Sequence, residues 1–276
     1  MRKKICIALM LCLFGVTTAC GTKNETSTEI KLRTTEPTVQ PTILPMESPM
    51  HKINDKFLNK WYGVGIYDRC YMETEREGDT LNVKITWGNS ASSTYEYEFS
   101  GTLQNDVLNY SNLVEKEVIT DEEQKVTEKI LNQDLSGEVY FHDTMALWDN
   151  NGQTVILATE AEYIEDATKV DYTGKYGSLG LYERVTMDFS QKDSEVKATI
   201  YWSDSYDEEH EYTFTGTIDG NQAILNNIKT IKITYQEDGS KQETDLSQDG
   251  TGTIFFSKNF IVVMDDQNDF VIPFIK

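Results

Sequence analysis

The chain contains one segment twice. "KITWGNSASSTYEYEFSGT" begins at Lys84, and "TIYWSDSYDEEHEYTFTGT" begins 115 residues later at Thr199. At this constant offset, residues 65–103 align with residues 180–218 without a gap, and twelve of the thirty-nine pairs are identical. A period this long with only two copies indicates a tandem domain duplication rather than a solenoid of short repeats.

Each copy has the pattern of antiparallel β-strands. Apolar residues or Gly occupy every second position of Leu81–Trp87 and Tyr95–Leu103. The second copy matches over Val196–Trp202 and His210–Ile218, apart from His210 itself. A period of two gives a strand one apolar face and one polar face, which is typical of a sheet packed on one side. Turn signals such as Asp219-Gly220-Asn221 recur at hairpin spacing.

We therefore predict an all-β protein with two tandem copies of a small antiparallel up-and-down β-barrel, of about seven or eight strands each. A sandwich is the alternative that the strand count leaves open. The segments "FIVVM" and "FVIPFI" are continuously apolar. We expect them to be buried on both faces or to close the structure.

The start of each copy carries a family resemblance. Asn59-Lys60-Trp61 and Gly174-Lys175-Tyr176 are similar to the Gly-x-Trp start of lipocalin-like and avidin-like (calycin-like) barrels. The resemblance implies a barrel whose mouth takes a ligand, and it does not say which ligand.

The N-terminal segment has the features of a targeting signal. "MRKKICIALMLCLFGVTTAC" has a basic start, an apolar run and small residues before Cys20, which is typical of a bacterial export signal. "TTAC" followed by Gly21 resembles the lipobox of bacterial lipoproteins, although Thr17 replaces the usual aliphatic residue. This resemblance implies lipidation of Cys20 and anchoring to the cell membrane on its extracytoplasmic face; plain cleavage and secretion is the alternative.

The lipobox and the repeat together resemble tandem-barrel lipoproteins of Firmicutes-type bacteria. Four of the five prolines lie between Gly21 and Lys56, in a Thr- and Glu-rich segment that we predict to be an unfolded tether. The predicted organisation is a signal peptide at 1–19, a lipid-anchored tether at 20–56, a first barrel at 57–160 and a second at 171–276.

The formal charge of −21 repels phosphate backbones, so nucleic acid is not an expected partner. The expected partners are the membrane, through Cys20, and an unknown small molecule or protein, bound by a monomer. Cys70 is the one cysteine that follows Cys20, so no intramolecular disulfide is expected.

The candidate ligand-binding residues are those that both copies keep. The motif "GIYDRCYM" recurs as "GLYERVTM", and each copy also has one Trp at the end of a strand. Strand parity predicts that Asp68 and Glu183 point inward unless a bulge intervenes, and a buried acid next to an Arg could recognise a polar ligand. A structural role for the shared residues is the competing interpretation, because a shared fold requires shared residues. The candidates are Tyr67, Arg69, Trp87, Tyr182, Arg184 and Trp202.

Signals for catalysis and for metals are weak. The three histidines are not shared between the copies, and no catalytic or cofactor-binding motif is present, so neither an enzyme nor a cofactor is expected. Cys70 takes the place of Val185 in the repeat, which indicates a small buried residue. No metal site is predicted; the weak candidates are the acids of one hairpin loop, Asp204, Asp207, Glu208 and Glu209.

Three functions remain open from the sequence. The first is a non-enzymatic ligand-binding lipoprotein. The second is an inhibitor or interaction module that acts through exposed hairpin loops. The third is a hydrolase with an unrecognised pair of carboxylates.

Overall fold

A computed structural model describes residues 55–150, 152–179, 184–266 and 270–276. These residues form sixteen antiparallel strands, arranged as two closed barrels in tandem. The predicted signal peptide and most of the predicted tether lie outside the described residues.

The first barrel is a simple meander in which each strand pairs with the next. Pairing of β1 with both β2 and β8 closes it. Short 3-10 helices lie at Asp55–Phe57 and Gly65–Tyr67. The strands are β1 (Lys60–Gly63), β2 (Cys70–Glu77), β3 (Thr80–Gly88), β4 (Ser93–Gln104), β5 (Val107–Thr120), β6 (Val126–His142), β7 (Met145–Asn150) and β8 (Gln153–Thr159).

The second barrel repeats this topology, and β9 closes it by pairing with β10 and β16. Two 3-10 helices, Glu160–Glu162 and Ala167–Lys169, lie in the connection between the barrels. The strands are β9 (Gly174–Ser178), β10 (Val185–Lys192), β11 (Glu195–Ser203), β12 (Glu208–Asp219), β13 (Gln222–Tyr235), β14 (Lys241–Phe256), β15 (Phe260–Asp265) and β16 (Phe270–Ile275). The predicted fold class, two tandem up-and-down barrels, is confirmed, and closure excludes the sandwich.

The offset found in the sequence also governs the strand pairing. Strands β10 to β13 begin and end 115 residues after β2 to β5, and β15 follows β7 by the same distance. Even an irregularity is kept: the register of β4 against β5 shifts after Glu98, and that of β12 against β13 shifts after the equivalent Thr213. The two copies therefore share backbone geometry as well as sequence.

Side chains fill the interior of each barrel. In the first, Trp61, Trp148, Tyr97 and Phe99 are buried, and the indole N–H of Trp148 donates a hydrogen bond to the Tyr110 hydroxyl at 3.0 Å. The rings of Tyr97 and Trp148 meet edge to face at 4.8 Å between centroids. The buried residues at the centre of the second barrel include Phe189, Tyr212, Phe214, Ile254 and Phe256. Burial of each large apolar side chain contributes about 1.5–3 kcal/mol, so both cores are held by packing.

The two barrels are not separate bodies, because they pack against each other through β15. Ile261 and Val263 point into the second barrel, whereas the alternate residues Phe260 and Val262 belong to the apolar cluster of the first. The prediction that "FIVVM" is buried on both faces is therefore confirmed. Alternation explains it, since one face of the strand enters its own barrel and the other enters the interface.

The interface uses the same face of both copies. In the first barrel the outward positions of β7 are Met145 and Leu147, which are nonetheless buried, and their equivalents at the offset of 115 are Phe260 and Val262. The interface therefore resembles the isologous contact of a symmetric dimer, built within one chain.

A buried carboxylate joins the barrels at this interface. Glu162 is 1% exposed and accepts hydrogen bonds from the Thr144 hydroxyl (2.5 Å) and from the backbone and side-chain nitrogens of Asn259 (2.9 and 2.7 Å). Thr144 and Asn259 are equivalent positions of the two copies, 115 residues apart. Glu162 thus clamps one equivalent turn of each barrel.

Candidate ligand-binding cleft

The retained Tyr and Trp of the first copy close one end of the barrel. Tyr67 is buried, donates its hydroxyl hydrogen to the Thr154 carbonyl at 2.9 Å, and meets Trp87 edge to face at 5.9 Å. Trp87 is half-buried. In the second copy the half-buried Trp202 contacts the rings of Tyr212 and Phe270. These residues pack as parts of the barrel wall, while Tyr182 lies outside the described residues.

The retained arginines lie on the surface. The Arg69 guanidinium donates to the carbonyls of Asn89 (3.5 Å) and Ser90 (3.2 Å), and so it caps the turn between β3 and β4. Arg184 is exposed, and its carbonyl accepts a hydrogen bond from the Ser203 backbone N–H. These contacts of Arg69 stay within the first barrel.

The prediction that Asp68 points inward is wrong. Strand parity does not apply, because the chain leaves β1 at Gly63 and forms the 3-10 helix Gly65–Tyr67, with Gly65 at φ +68°. Asp68 follows that helix and is exposed. The matching Glu183 lies outside the described residues.

Each acidic residue of the β11–β12 loop has a different neighbour, so the four carboxylates do not converge on one point. Asp204 lies 2.5 Å from Nδ1 of His210, and Glu208 pairs with Lys232 at 2.7 Å. Asp207 accepts a hydrogen bond from the Ser205 hydroxyl, while Glu209 continues strand β12 opposite Ser203. Within the described ranges, no group of three such residues has the geometry to hold a metal ion.

Cys70 is buried on the inner face of β2, opposite Trp87. Burial raises the pKa of its thiol to about 12, because the thiolate loses its hydration. The thiol therefore stays protonated at neutral pH and is not an available nucleophile.

The candidate site is a cleft of about 770 Å³ between the barrels. Residues of β1, of the turn after it and of the connection between the barrels form one wall, and β14 and the β12–β13 turn form the other. Gly65 lets the two walls meet, because a Cβ at this position would lie 2.6 Å from the Phe255 ring.

Exposed tyrosines mark the first-barrel side of this cleft. Tyr62 lines it and is 46% exposed, and its cross-strand partner Tyr71 is 44% exposed. The 3-10 helix Glu160–Glu162 places Tyr163, which is 72% exposed, on the same lining.

The second copy does not need these tyrosines. At the equivalent register, Gly177 pairs with Thr186 where the first copy pairs Tyr62 with Tyr71. The barrel therefore closes equally well without two large rings on its surface. Sequence reasoning missed this site because it searched the residues that both copies keep; the signal was a difference between the copies.

The charged residues of the cleft are acids. Asp68 and Glu160 are exposed on its lining, and neither forms an ion pair with another described residue. The third acid, Glu162, is occupied by its contacts with Thr144 and Asn259. Among the described residues that line the cleft there is no Lys, Arg or His.

Comparisons with protein-family models, with curated proteins and with solved structures find no match to this chain. In the part of the chain that the structure describes, no helix combines the length and the hydropathy needed to cross a membrane.

Proposed function

We propose that this protein is a lipid-anchored extracytoplasmic lipoprotein that binds a ligand, without catalysis, in the cleft between its two barrels. One observation carries the proposal. Both barrel interiors are filled by their own side chains, whereas the cleft is open and lined by Tyr62, whose place in the second barrel Gly177 takes.

The resemblance to lipocalin-like and avidin-like barrels supports descent from a binding fold. In such a barrel the ligand would be expected in the mouth or the lumen. Here Trp148 and Tyr110 occupy the centre of the first barrel, and Phe256 and Phe189 lie in the core of the second. Duplication supplies a different cavity, because two convex barrels in contact leave concave space beside the interface.

A second function has support from one loop. Tyr206 is fully exposed at the tip of the β11–β12 hairpin, within the acidic loop, where the first copy has the small residue Ala91. Aromatic side chains such as Tyr are enriched in protein–protein interfaces. This favours the interaction module as the alternative to a cleft ligand.

The anchoring part of the proposal predicts that Cys20→Ser abolishes lipid labelling. In cells that express the protein and are fed an alkyne-tagged fatty acid, the wild-type chain should become labelled, because the lipobox makes the Cys20 thiol the site of lipid attachment. Cys70→Ser is the matched control and should label normally, since the Cys70 thiol is buried. Labelling that persists in Cys20→Ser, or is absent from the wild type, would contradict anchoring at this residue.

The binding part predicts where ligands perturb the protein. Methyl-labelled protein, titrated with a mixture of cationic, neutral and anionic aromatic fragments, should show shift changes at Val64, Ala158 and Ile164, which line the cleft. The methyl signals of Ile85 and Ile200, in the barrel cores, should not shift. Gln222→Trp, which places a large ring on the cleft wall, should suppress the changes. Perturbation of the core methyls, or of no methyl, would overturn the cleft as the binding site.

A further inference from the structure

We infer that the cleft between the barrels takes an organic cation, meaning an amine or quaternary ammonium group carried on an apolar body. This inference rests on the proposed function and specifies its ligand class. Three properties of the cleft carry it: the sign of its charge, the kind of its exposed rings and the apolar character of its floor.

The charge of the lining selects against anions. Asp68 and Glu160 have no cationic partner within the described ranges, and the described lining includes no basic residue. Lys60, the basic residue of β1, forms an ion pair with Glu73 at 2.6 Å. Lys258 contributes its backbone N–H to the Glu162 carbonyl, and it lines a neighbouring cleft instead. A bound cation would therefore meet two uncompensated carboxylates.

The rings supply a second attraction for the same charge. A cation over the face of a Tyr ring is attracted by the negative charge of that face, and aromatic sites use this attraction to recognise quaternary ammonium ligands. Tyr62 and Tyr163 both lie on the cleft with roughly half or more of their surface exposed, at 46% and 72%. Because Gly177 replaces Tyr62 in the second copy, the ring at this place is an addition to the fold.

The floor of the cleft suits an apolar body rather than a bare ion. Val64, Ile164 and Phe255 line it and are half-buried, so each still offers apolar surface. A volume of about 770 Å³ lies within the range of small-molecule sites. A divalent metal fits poorly, because the described residues hold no cluster of three ligating groups.

Three probes of equal shape and different charge test the inference. They are 4-phenylbutylamine, 4-phenylbutanol and 4-phenylbutyrate, titrated into the purified protein at pH 7 and low salt by calorimetry. The amine is charged at this pH, as a Lys side chain is. It should bind on the order of tenfold more tightly than the alcohol, and the carboxylate should bind most weakly. Added salt should reduce the advantage of the amine.

Two sets of variants separate charge from shape. Asp68→Asn with Glu160→Gln should cut the preference for the amine to about threefold or less and leave the alcohol unchanged. Tyr62→Gly with Tyr71→Thr gives the first barrel the Gly and Thr that the second barrel has at this register. It should weaken the binding of all three probes by about tenfold. Because Gly177 and Thr186 occupy this register in a closed barrel, the variant should keep its fold, which its unfolding midpoint checks. Tyr206→Ala and Glu165→Gln lie off the cleft lining and should change nothing.

The outcomes that oppose the inference are distinct. If the alcohol binds as tightly as the amine and the tyrosine variant weakens both, the cleft is a binding site but its ligand is not a cation. If the amine binds the Tyr62→Gly, Tyr71→Thr variant as tightly as the wild type and causes no chemical-shift change at the cleft methyl groups, the proposed function fails as well. If a Lys-rich peptide binds and the amine does not, the partner is a protein segment and the small-molecule inference is overturned.

Discussion

Replacement of Glu162 by alanine is expected to lower the free energy of unfolding by about 3 kcal/mol. The buried carboxylate accepts hydrogen bonds from the Thr144 hydroxyl and from two nitrogens of Asn259, so its removal leaves three donors at the interface without their acceptor. The loss also frees the two turns that hold the barrels together. Urea unfolding, followed by Trp fluorescence, measures the change.

Matched variants identify the cause of this loss. Glu162→Gln keeps one acceptor oxygen in place and should cost about half as much, because hydrogen bonds to a charged acceptor are stronger than those to a neutral one. Glu165→Ala removes an acid of the same connection that is exposed, and it should have almost no effect. A loss below about 1 kcal/mol for Glu162→Ala would show that the carboxylate does not clamp the barrels.

The second large effect concerns the filled interior. Trp148→Ala is expected to cost about 3–5 kcal/mol, because it removes a fully buried ring and its hydrogen bond to Tyr110. The cavity should also admit a guest of the same shape, so millimolar indole should restore part of the lost stability in thermal unfolding. Wild-type protein should gain less from indole, because its lumen is filled and only the cleft between the barrels is open to an aromatic ring.

Trp202→Ala is the comparison for this prediction. Trp202 is half-buried at the end of the second barrel, and its loss should cost about half as much and leave no closed cavity for indole. Stabilisation of the wild type by indole that persists in the Tyr62→Gly, Tyr71→Thr variant would mean that a lumen is accessible, and it would return the ligand to the barrel interior.

The strands could be predicted from the sequence because their signal is local. Alternation in Leu81–Trp87 and in Tyr95–Leu103 requires a sheet with one buried face, and the structure places β3 and β4 there. The repeat then implied a second copy with the same strands, and β11 and β12 follow. Alternation could not show closure, because pairing of β1 with β8 joins residues about a hundred positions apart.

The candidate site was less predictable. Tyr67, Arg69 and Trp87 were selected because both copies keep them, and the structure gives them contacts within their own barrel. Asp68 was placed inside by strand parity, which fails where the chain turns at Gly65. A residue that both copies keep reports what the fold needs, so a function of one copy has to be sought where the copies differ.

The sequence by itself determined two duplicated β-bodies, the position of several of their strands and a net negative charge, because side-chain alternation and charge are properties of the chain. Only the tertiary structure decided that one face of β15 joins the apolar cluster of the first barrel, that Glu162 joins Thr144 to Asn259, and that Tyr62 lies at an open cleft. The reason is physical: an interface and the cavity beside it depend on how two folded surfaces fit, and no local pattern in either segment encodes its partner.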